Sequence, residues 1–202
     1  MTRAVDATFV VATFNPHKAS ELHALLGLPG LVLRAVSEWP GATAPDETGD
    51  TLLANARIKA RAACALTGLP AIADDTGLEV DALDGAPGVF TARYAGEHAT
   101  YADNVAKLLR ELDGVPADER TARFRTACVA VWPDGRECVA EGVVEGVIVT
   151  APRGSHGFGY DPVFAPATGR DARTFAEMLD TEKNTLSHRA RAVHALAAQL
   201  RG

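Results

Sequence analysis

Short apolar runs alternate with longer amphipathic stretches along the first third of the 202-residue chain. The β-rich residues 8–12 are followed by Asn15 and Pro16, residue types that favour a helix N-cap and the first helical position. This order predicts a strand, a tight loop and a helix over residues 16–26. The same reasoning predicts strands over residues 31–36 and 70–73 and a helix over residues 50–67, with Gly68 beyond its end.

The second half of the chain changes from a helical to an alternating pattern. Apolar residues at helical spacing predict a helix over residues 101–113, and residues 122–130 then alternate. Pro133-Asp134-Gly135 supplies turn chemistry before a second β segment over residues 137–149, so an antiparallel hairpin is predicted. A glycine-rich loop over residues 153–161, a strand over residues 162–164 and a C-terminal helix marked by Ala190, Val193, Ala197 and Leu200 complete the pattern.

These elements predict an α/β protein with a mixed sheet and flanking helices. The length corresponds to a single domain over residues 1–202, because domains average roughly 150 residues. Lysine and arginine total 20 and aspartate and glutamate 26, which gives a net charge of −6. A long nucleic acid is therefore not an expected partner, whereas a small polyanion bound by a few local cations is.

The cysteines and the apolar runs bear on the compartment. Cys64, Cys128 and Cys138 are widely spaced, so neither a disulfide framework nor a zinc site is indicated. Reduced thiols of a cytoplasmic protein fit this pattern best. The apolar run at residues 7–14 is far shorter than the roughly 20 residues that cross a bilayer, so no membrane or targeting segment is expected.

The first candidate cluster is Thr13-x-Asn15-x-x-Lys18 at the first predicted strand-to-helix turn. A helix N-terminus carries unpaired N–H groups and a partial positive charge, so it can bind a phosphate when Lys18 is nearby. A second cluster is acidic, with Glu47 before a predicted helix and Asp74-Asp75 at the end of a predicted strand. Carboxylates are ligands for Mg²⁺, although an acidic turn and a helix N-terminus also favour them.

Two further clusters lie towards the C-terminus. Gly157-Phe158-Gly159-Tyr160-Asp161 would let the backbone approach a flat ligand that stacks on Phe158. Lys183, His188 and Arg189 are predicted at the start of the last helix, where they would present donors. A tight turn whose aromatics cover the core and a solvated helix start are the structural alternatives.

Taken together, the four clusters resemble the Ham1-like inosine triphosphate pyrophosphatase family over nearly the whole chain. Gly85-Ala86-Pro87-Gly88 and Ala92-Arg93-Tyr94 are further matching motifs. The resemblance implies Mg²⁺-dependent hydrolysis of ITP, dITP and XTP to the nucleoside monophosphate and pyrophosphate. It also implies an elongated α/β fold, two lobes with an active-site cleft between them, and a homodimer.

The resemblance assigns roles to individual positions. Asp75 would be the catalytic proton acceptor, and Glu47 and Asp75 would bind Mg²⁺. The family usually has a small residue where this chain has Phe14, so the phosphate contacts there are expected to differ. The substrate-binding positions would be Thr13, Phe14, Asn15, Pro16, His17, Lys18, Thr76, Phe158, Gly159, Tyr160, Asp161, Lys183, His188 and Arg189.

Base selection is expected to follow polarity. Arg189 or His188 would donate to the 6-oxo group of the purine, Phe158 would stack, and Asp161 would accept from N1–H. Two rival interpretations are the related Maf-like pyrophosphatases, which prefer other nucleotides, and a nucleotide sensor without turnover. The Phe-Gly-Tyr-Asp and Ser-His-Arg motifs favour the inosine group, and the intact metal-binding acids favour turnover.

Overall fold

A computed structural model describes residues 7–168 and 172–201 of the chain. Its described strands are β1 (Ala7–Val11), β2 (Leu31–Ala35), β3 (Ala71–Val80), β4 (Pro87–Gly88), β5 (Thr121–Val131), β6 (Glu137–Ile148) and β7 (Phe164–Pro166). The described helices longer than one turn are α1 (Pro16–Leu26), α2 (Leu52–Thr67), α3 (Tyr101–Glu111), α4 (Asp180–Leu186) and α5 (His188–Arg201). None of the helices in these ranges is long and apolar enough to span a membrane.

The sheet is mixed, as the sequence predicts. Its strand order is β2-β1-β3-β5-β6-β7, with β4 paired to β3. Strand β1 pairs in parallel with β2 and with β3, whereas β4 and β7 pair antiparallel to their neighbours. The predicted hairpin is formed by β5 and β6, which the turn at Asp134 connects. The α/β class is therefore confirmed.

The chain divides into two compact units. The first contains the residues up to Asp75, Thr126–Gly142 and the residues from Arg189 onward. Within it, Phe9 and Val11 of β1 pack with α1 and α5, and the intervening Val10 packs with α2. Because successive side chains of a strand point to opposite faces, this unit has helices on both faces of its part of the sheet.

The second unit contains Thr76–Arg125 and Val143–His188. Its core packs the buried side of α3, represented by Leu108, against strand residues such as Phe124 and Phe164. Tyr160 and Phe175 from the loops before and after β7 complete this core. The loop that carries the Phe-Gly-Tyr-Asp motif is therefore anchored in a hydrophobic cluster of its own unit.

Helix ends were predicted well where capping residues mark them. Asn15 caps α1 by accepting from the backbone N–H of His17 at 3.0 Å and of Lys18 at 3.4 Å, with Pro16 at the first helical position. Helix α2 begins at Leu52, two residues later than predicted, because Thr51 is its N-cap.

Three expectations about elements were wrong. Strand β3 continues to Val80, so Asp74 and Asp75 lie inside a strand and not in a turn after it. The short strand near the C-terminus covers Phe164–Pro166, because Pro162 and Val163 still belong to the preceding turn. Lys183 lies in the separate short helix α4 and not at the start of the last helix.

Candidate active site

The first part of the candidate site is the loop between β1 and α1. The backbone N–H of Asn15 donates to the Thr13 hydroxyl at 3.1 Å, while the Asn15 side chain caps the helix. Phe14 is 44% exposed, so its ring is outside the core. Pro16 and His17 are also exposed on the first turn. The loop thus presents the positive end of the α1 helix dipole, which suits an anion.

A buried charge cluster lies next to this loop in the first unit. The Asp74 carboxylate contacts the Arg189 guanidinium at 3.1 Å and the Lys18 ammonium at 3.5 Å. Arg189 also pairs with Glu21 and is 2% exposed. Burial raises the pKa of Asp74, but the cations of Lys18 and Arg189 outweigh burial and hold that pKa well below its usual range.

Asp75 belongs to a different cluster although it is the next residue. The Lys59 ammonium contacts one Asp75 oxygen at 2.7 Å and one Glu47 oxygen at 3.1 Å. Successive strand residues face opposite sides of the sheet, so the Asp74 side chain faces α1 and α5 and the Asp75 side chain faces α2. Only one of the two adjacent acids therefore joins Glu47.

Lys59 is a candidate site residue that the sequence reasoning missed. It lies in the middle of α2 and belongs to none of the four clusters. The helical spacing carried a signal for this residue, because Lys59 lies beside the buried stripe of α2 that Ala56, Ala60 and Ala63 form. Burial lowers the pKa of Lys59, but the carboxylates of Asp75, Asp74 and Glu47 outweigh it and raise that pKa. The side chain is therefore cationic at neutral pH.

The position of Glu47 depends on the start of α2. Gly49 donates its backbone N–H to the Asn55 side-chain oxygen at 2.8 Å. A Cβ added at Gly49 would lie 2.6 Å from the Ala54 Cβ and 2.7 Å from that Asn55 oxygen. Only glycine fits this close approach, so the segment that carries Glu47 is tied to α2.

The two carboxylates of Asp75 and Glu47 fit a divalent cation. Both contact the single ammonium group of Lys59, so they converge on one cationic position. Within residues 7–168 and 172–201, no group of three or more histidine, cysteine, aspartate or glutamate side chains is arranged for a metal. Mg²⁺ is commonly bound by one or two carboxylates together with water and substrate phosphates, which matches a two-carboxylate site.

The second unit holds the glycine-rich loop around Phe158. Asp161 accepts from the Phe158 backbone N–H at 2.9 Å and from the Lys183 ammonium at 2.7 Å. The Lys183 ammonium also lies 4.9 Å from the centre of the Phe158 ring. Gly157 and Gly159 adopt φ angles of +72° and +63°, and a Cβ at Gly157 would lie 2.1 Å from an Asp161 oxygen. The loop is thus folded around one carboxylate.

Two more predicted residues belong to the second unit's core. His188 is buried and stacks on Phe124 with ring centroids 4.4 Å apart and an angle of 14° between the planes. The Tyr160 hydroxyl donates to the Thr91 carbonyl at 3.1 Å, so this aromatic anchors the loop. Thr76 is half-buried in β3 directly after Asp75.

The structure therefore sorts the predicted residues into two sets. Thr13 to Lys18, Glu47, Asp75 and Arg189 belong to the first unit, and Thr76, Phe158 to Asp161, Lys183 and His188 belong to the second. Arg189 was expected with the base-binding residues. Its guanidinium instead pairs with Asp74 and Glu21, on the side of the sheet where Lys18 also lies.

Comparisons with known proteins give one consistent result. A family model described as the Ham1 family matches residues 9–199. A protein of Geobacillus kaustophilus named dITP/XTP pyrophosphatase is 49% identical over 94% of this chain and 92% of its own length. A protein of the same name from Rhodopseudomonas palustris is 45% identical over 98% of this chain and 97% of its own.

Solved structures agree with this result. A HAM1 protein from Coxiella burnetii has a TM-score of 0.87 and 39% identity, and the match covers 96% of this chain and 98% of that one. A Ham1 protein from Staphylococcus aureus has a TM-score of 0.85 and 35% identity, with the same two coverages.

Proposed function

Because this chain belongs to the Ham1 family, we propose that it is a nucleoside triphosphate pyrophosphatase that acts on the deaminated purine nucleotides dITP, XTP and ITP. The products are the nucleoside monophosphate and pyrophosphate. One structural observation carries the proposal, namely the convergence of the Asp75 and Glu47 carboxylates on a single cationic position.

Asp75 and Glu47 are the residues that would hold Mg²⁺. Bound there, the ion would neutralise triphosphate charge and orient the phosphates. The chain itself supplies two further cations to this region, the ammonium groups of Lys18 and Lys59. They offset the charge of a polyanion even though the net charge of the chain is −6.

Asp75 is the group suited to accept a proton from the attacking water. Burial raises the pKa of this carboxyl more than the neighbouring Lys59 and Lys18 lower it. The water oxygen forms a bond to the α-phosphorus, its proton passes to an Asp75 oxygen, and the bond from the α-phosphorus to the bridging oxygen breaks. Pyrophosphate leaves with that oxygen and its electron pair.

The loop of residues 13–18 binds the phosphates in this proposal. The positive end of the α1 dipole lies at this loop, and Asp74 holds the Lys18 side chain. Arg189 acts here as a support, because its guanidinium pairs with the carboxylate that also holds Lys18.

The loop around Phe158 binds the purine. Phe158 offers a stacking face, and Gly159 leaves the backbone open to a flat ligand. Asp161 already accepts from Lys183 and from the Phe158 N–H, which favours a role in shaping the loop over acceptance from N1–H. His188 is the remaining candidate donor to the 6-oxo group, and its stack on Phe124 fixes its ring plane.

The experiment is a panel of dITP, ITP, XTP, GTP and ATP with Mg²⁺, assayed for orthophosphate with and without added inorganic pyrophosphatase. We expect orthophosphate only with the coupling enzyme. We also expect kcat/KM for the deaminated purines to be about 5- to 150-fold above that for ATP, because the 6-amino group of adenine mismatches the donor that faces the 6-oxo group, and one mismatched polar group costs roughly 1 to 3 kcal/mol. Direct release of orthophosphate would contradict the proposed bond cleavage. Binding without turnover would identify a sensor instead.

Asp75→Asn tests the assigned role directly. It preserves shape but removes the charge that binds metal and accepts a proton, so we expect a loss of at least about 10² to 10⁴ in kcat. Asp134→Asn, in the exposed hairpin turn, is the matched control and should leave kcat unchanged. A rate for Asp75→Asn within a fewfold of wild type would transfer both roles to another carboxylate. As the family resemblance implies, we also propose a homodimer, whose mass is measured by light scattering after size-exclusion chromatography. The free cysteines support a cytoplasmic location.

A further inference from the structure

An exposed aromatic pair lies beside the loop of residues 157–161. Tyr101 is the first residue of α3, and its ring centroid lies 6.0 Å from that of Phe158 with an angle of 39° between the planes. This distance is within the range of favourable aromatic contacts. Tyr101 is nevertheless 44% exposed, and Phe158 is only partly buried. The second unit therefore presents two adjacent aromatic side chains where the proposed function places a purine.

Tyr101 stands on a rigid element. Thr100 and Asp103 form a capping box, in which the Thr100 N–H donates to the Asp103 carboxylate at 2.8 Å and the Asp103 N–H donates to the Thr100 hydroxyl at 3.2 Å. Further along α3, Val105 and Leu108 are buried in the core of the second unit. The backbone of Tyr101 is thus held by capping on one side and by packing on the other.

Phe158 stands on a loop, and its ring needs neighbours to keep an orientation. Asp161 holds the Phe158 backbone, and the Lys183 ammonium lies 4.9 Å from the ring centre. Tyr101 is the neighbouring ring on a helix. A partly exposed phenyl ring loses rotamer freedom when a ligand stacks on it, and a neighbour that already restricts the ring reduces that loss.

We propose that Tyr101 is a positioning residue for purine binding, which holds the Phe158 ring in the orientation that stacks on the two-ring base. The inference rests on the proposed function and deepens it, since it concerns the base side of the same site. Tyr101 acts through Phe158, so its effect belongs to binding of the base and not to the phosphate chemistry.

The test compares Tyr101→Ala with Tyr101→Phe, which keeps the ring. For Tyr101→Ala we expect KM for dITP and Kd for inosine monophosphate to rise about 3- to 10-fold, the range of an aromatic pair, while kcat stays within twofold. Tyr101→Phe should match wild type in all three. Kd for pyrophosphate, which has no base, should not change. Leu66→Ala, at a residue of α2 that is also 44% exposed, is the control for loss of a surface apolar group.

A double-mutant cycle with Phe158→Ala tests the route of the effect. If Tyr101 acts through Phe158, adding Tyr101→Ala to Phe158→Ala should not raise Kd for inosine monophosphate further. Additive effects, or an unchanged Kd in Tyr101→Ala with an active wild type, would overturn the positioning role alone. A wild-type chain that neither hydrolyses dITP nor binds inosine monophosphate would refute the proposed function and this inference with it.

Discussion

The buried pair of Asp161 and Lys183 allows a sharp test of how the base-side loop is held together. Their side chains contact at 2.7 Å, and each is only 4% exposed. Asp161→Asn keeps the acceptor for the Phe158 N–H but removes the charge, which leaves the Lys183 ammonium buried without its counter-charge. Lys183→Met instead removes the ammonium and leaves the Asp161 carboxylate buried without its counter-charge.

The expected magnitude follows from burial. Removing one partner of a buried ion pair commonly costs about 3 to 5 kcal/mol, whereas replacing both partners is often neutral. In a chain of 202 residues each kcal/mol shifts Tm by roughly 2 to 4 °C, so Asp161→Asn should lower Tm by about 6 to 20 °C. The double variant Asp161→Asn/Lys183→Met should recover most of that loss, because it removes the unbalanced charge while an amide oxygen still accepts from Phe158.

Thermal unfolding followed by circular dichroism measures these shifts in Tm. KM for dITP measures how far each variant weakens substrate binding by the loop. Asp134→Asn removes a charge from an exposed pair with Arg136 and serves as the control, with no measurable shift expected. If Asp161→Asn unfolds at the temperature of that control, the pair does not stabilise the loop. If the double variant is as unstable as Asp161→Asn alone, the unbalanced charge is not the cause of the loss.

Two further perturbations concern the first unit. Lys59→Met should tighten Mn²⁺ binding in the absence of nucleotide by roughly tenfold or more, because the Lys59 ammonium contacts both carboxylates and repels a second cation there. Isothermal titration calorimetry measures the Mn²⁺ affinity, and an affinity equal to that of the control Lys107→Met would contradict this prediction. The pKa of Asp74 is lower in the folded chain than the unfolded value of about 3.9, so its stabilising contribution is complete above that pH and is lost as the pH falls towards the folded value. In urea unfolding, the difference in free energy of unfolding between wild type and Asp74→Asn should therefore be constant from pH 7 to about pH 5 and become smaller below about pH 4. A difference that grows on acidification would refute the lowered pKa of Asp74.

Much of the local structure was predictable because its causes are local. The bounds of α1 match the prediction, since Asn15 and Pro16 mark its start and Gly27 follows its end in a left-handed conformation. The hairpin was predictable for the same reason, because alternation and turn residues lie within one stretch of chain. The resemblance also identified Glu47 and Asp75, which the structure brings to one cation.

Strand β3 shows where local reasoning failed. Two adjacent aspartates are poor strand residues, so the sequence predicted that the strand stops before them. The strand continues because each carboxylate meets a cation from elsewhere in the chain, Asp74 at Arg189 and Asp75 at Lys59. Burying a charge is tolerated only when it is paired, and the pairing partners were not in the local pattern.

The α/β class, the family and the residue types of the candidate site all follow from the order of amino acids along the chain. The partner of each charged side chain depends instead on how the chain folds. Asp74 and Arg189 are 115 positions apart, and Lys59 reaches Asp75 across 16. Such contacts depend on how helices pack on the faces of a sheet, and strand alternation sends the two neighbouring aspartates to opposite faces. For this reason Arg189 lies with Asp74 and Lys18, and Lys59 lies with the carboxylates of Asp75 and Glu47 although no motif contains it.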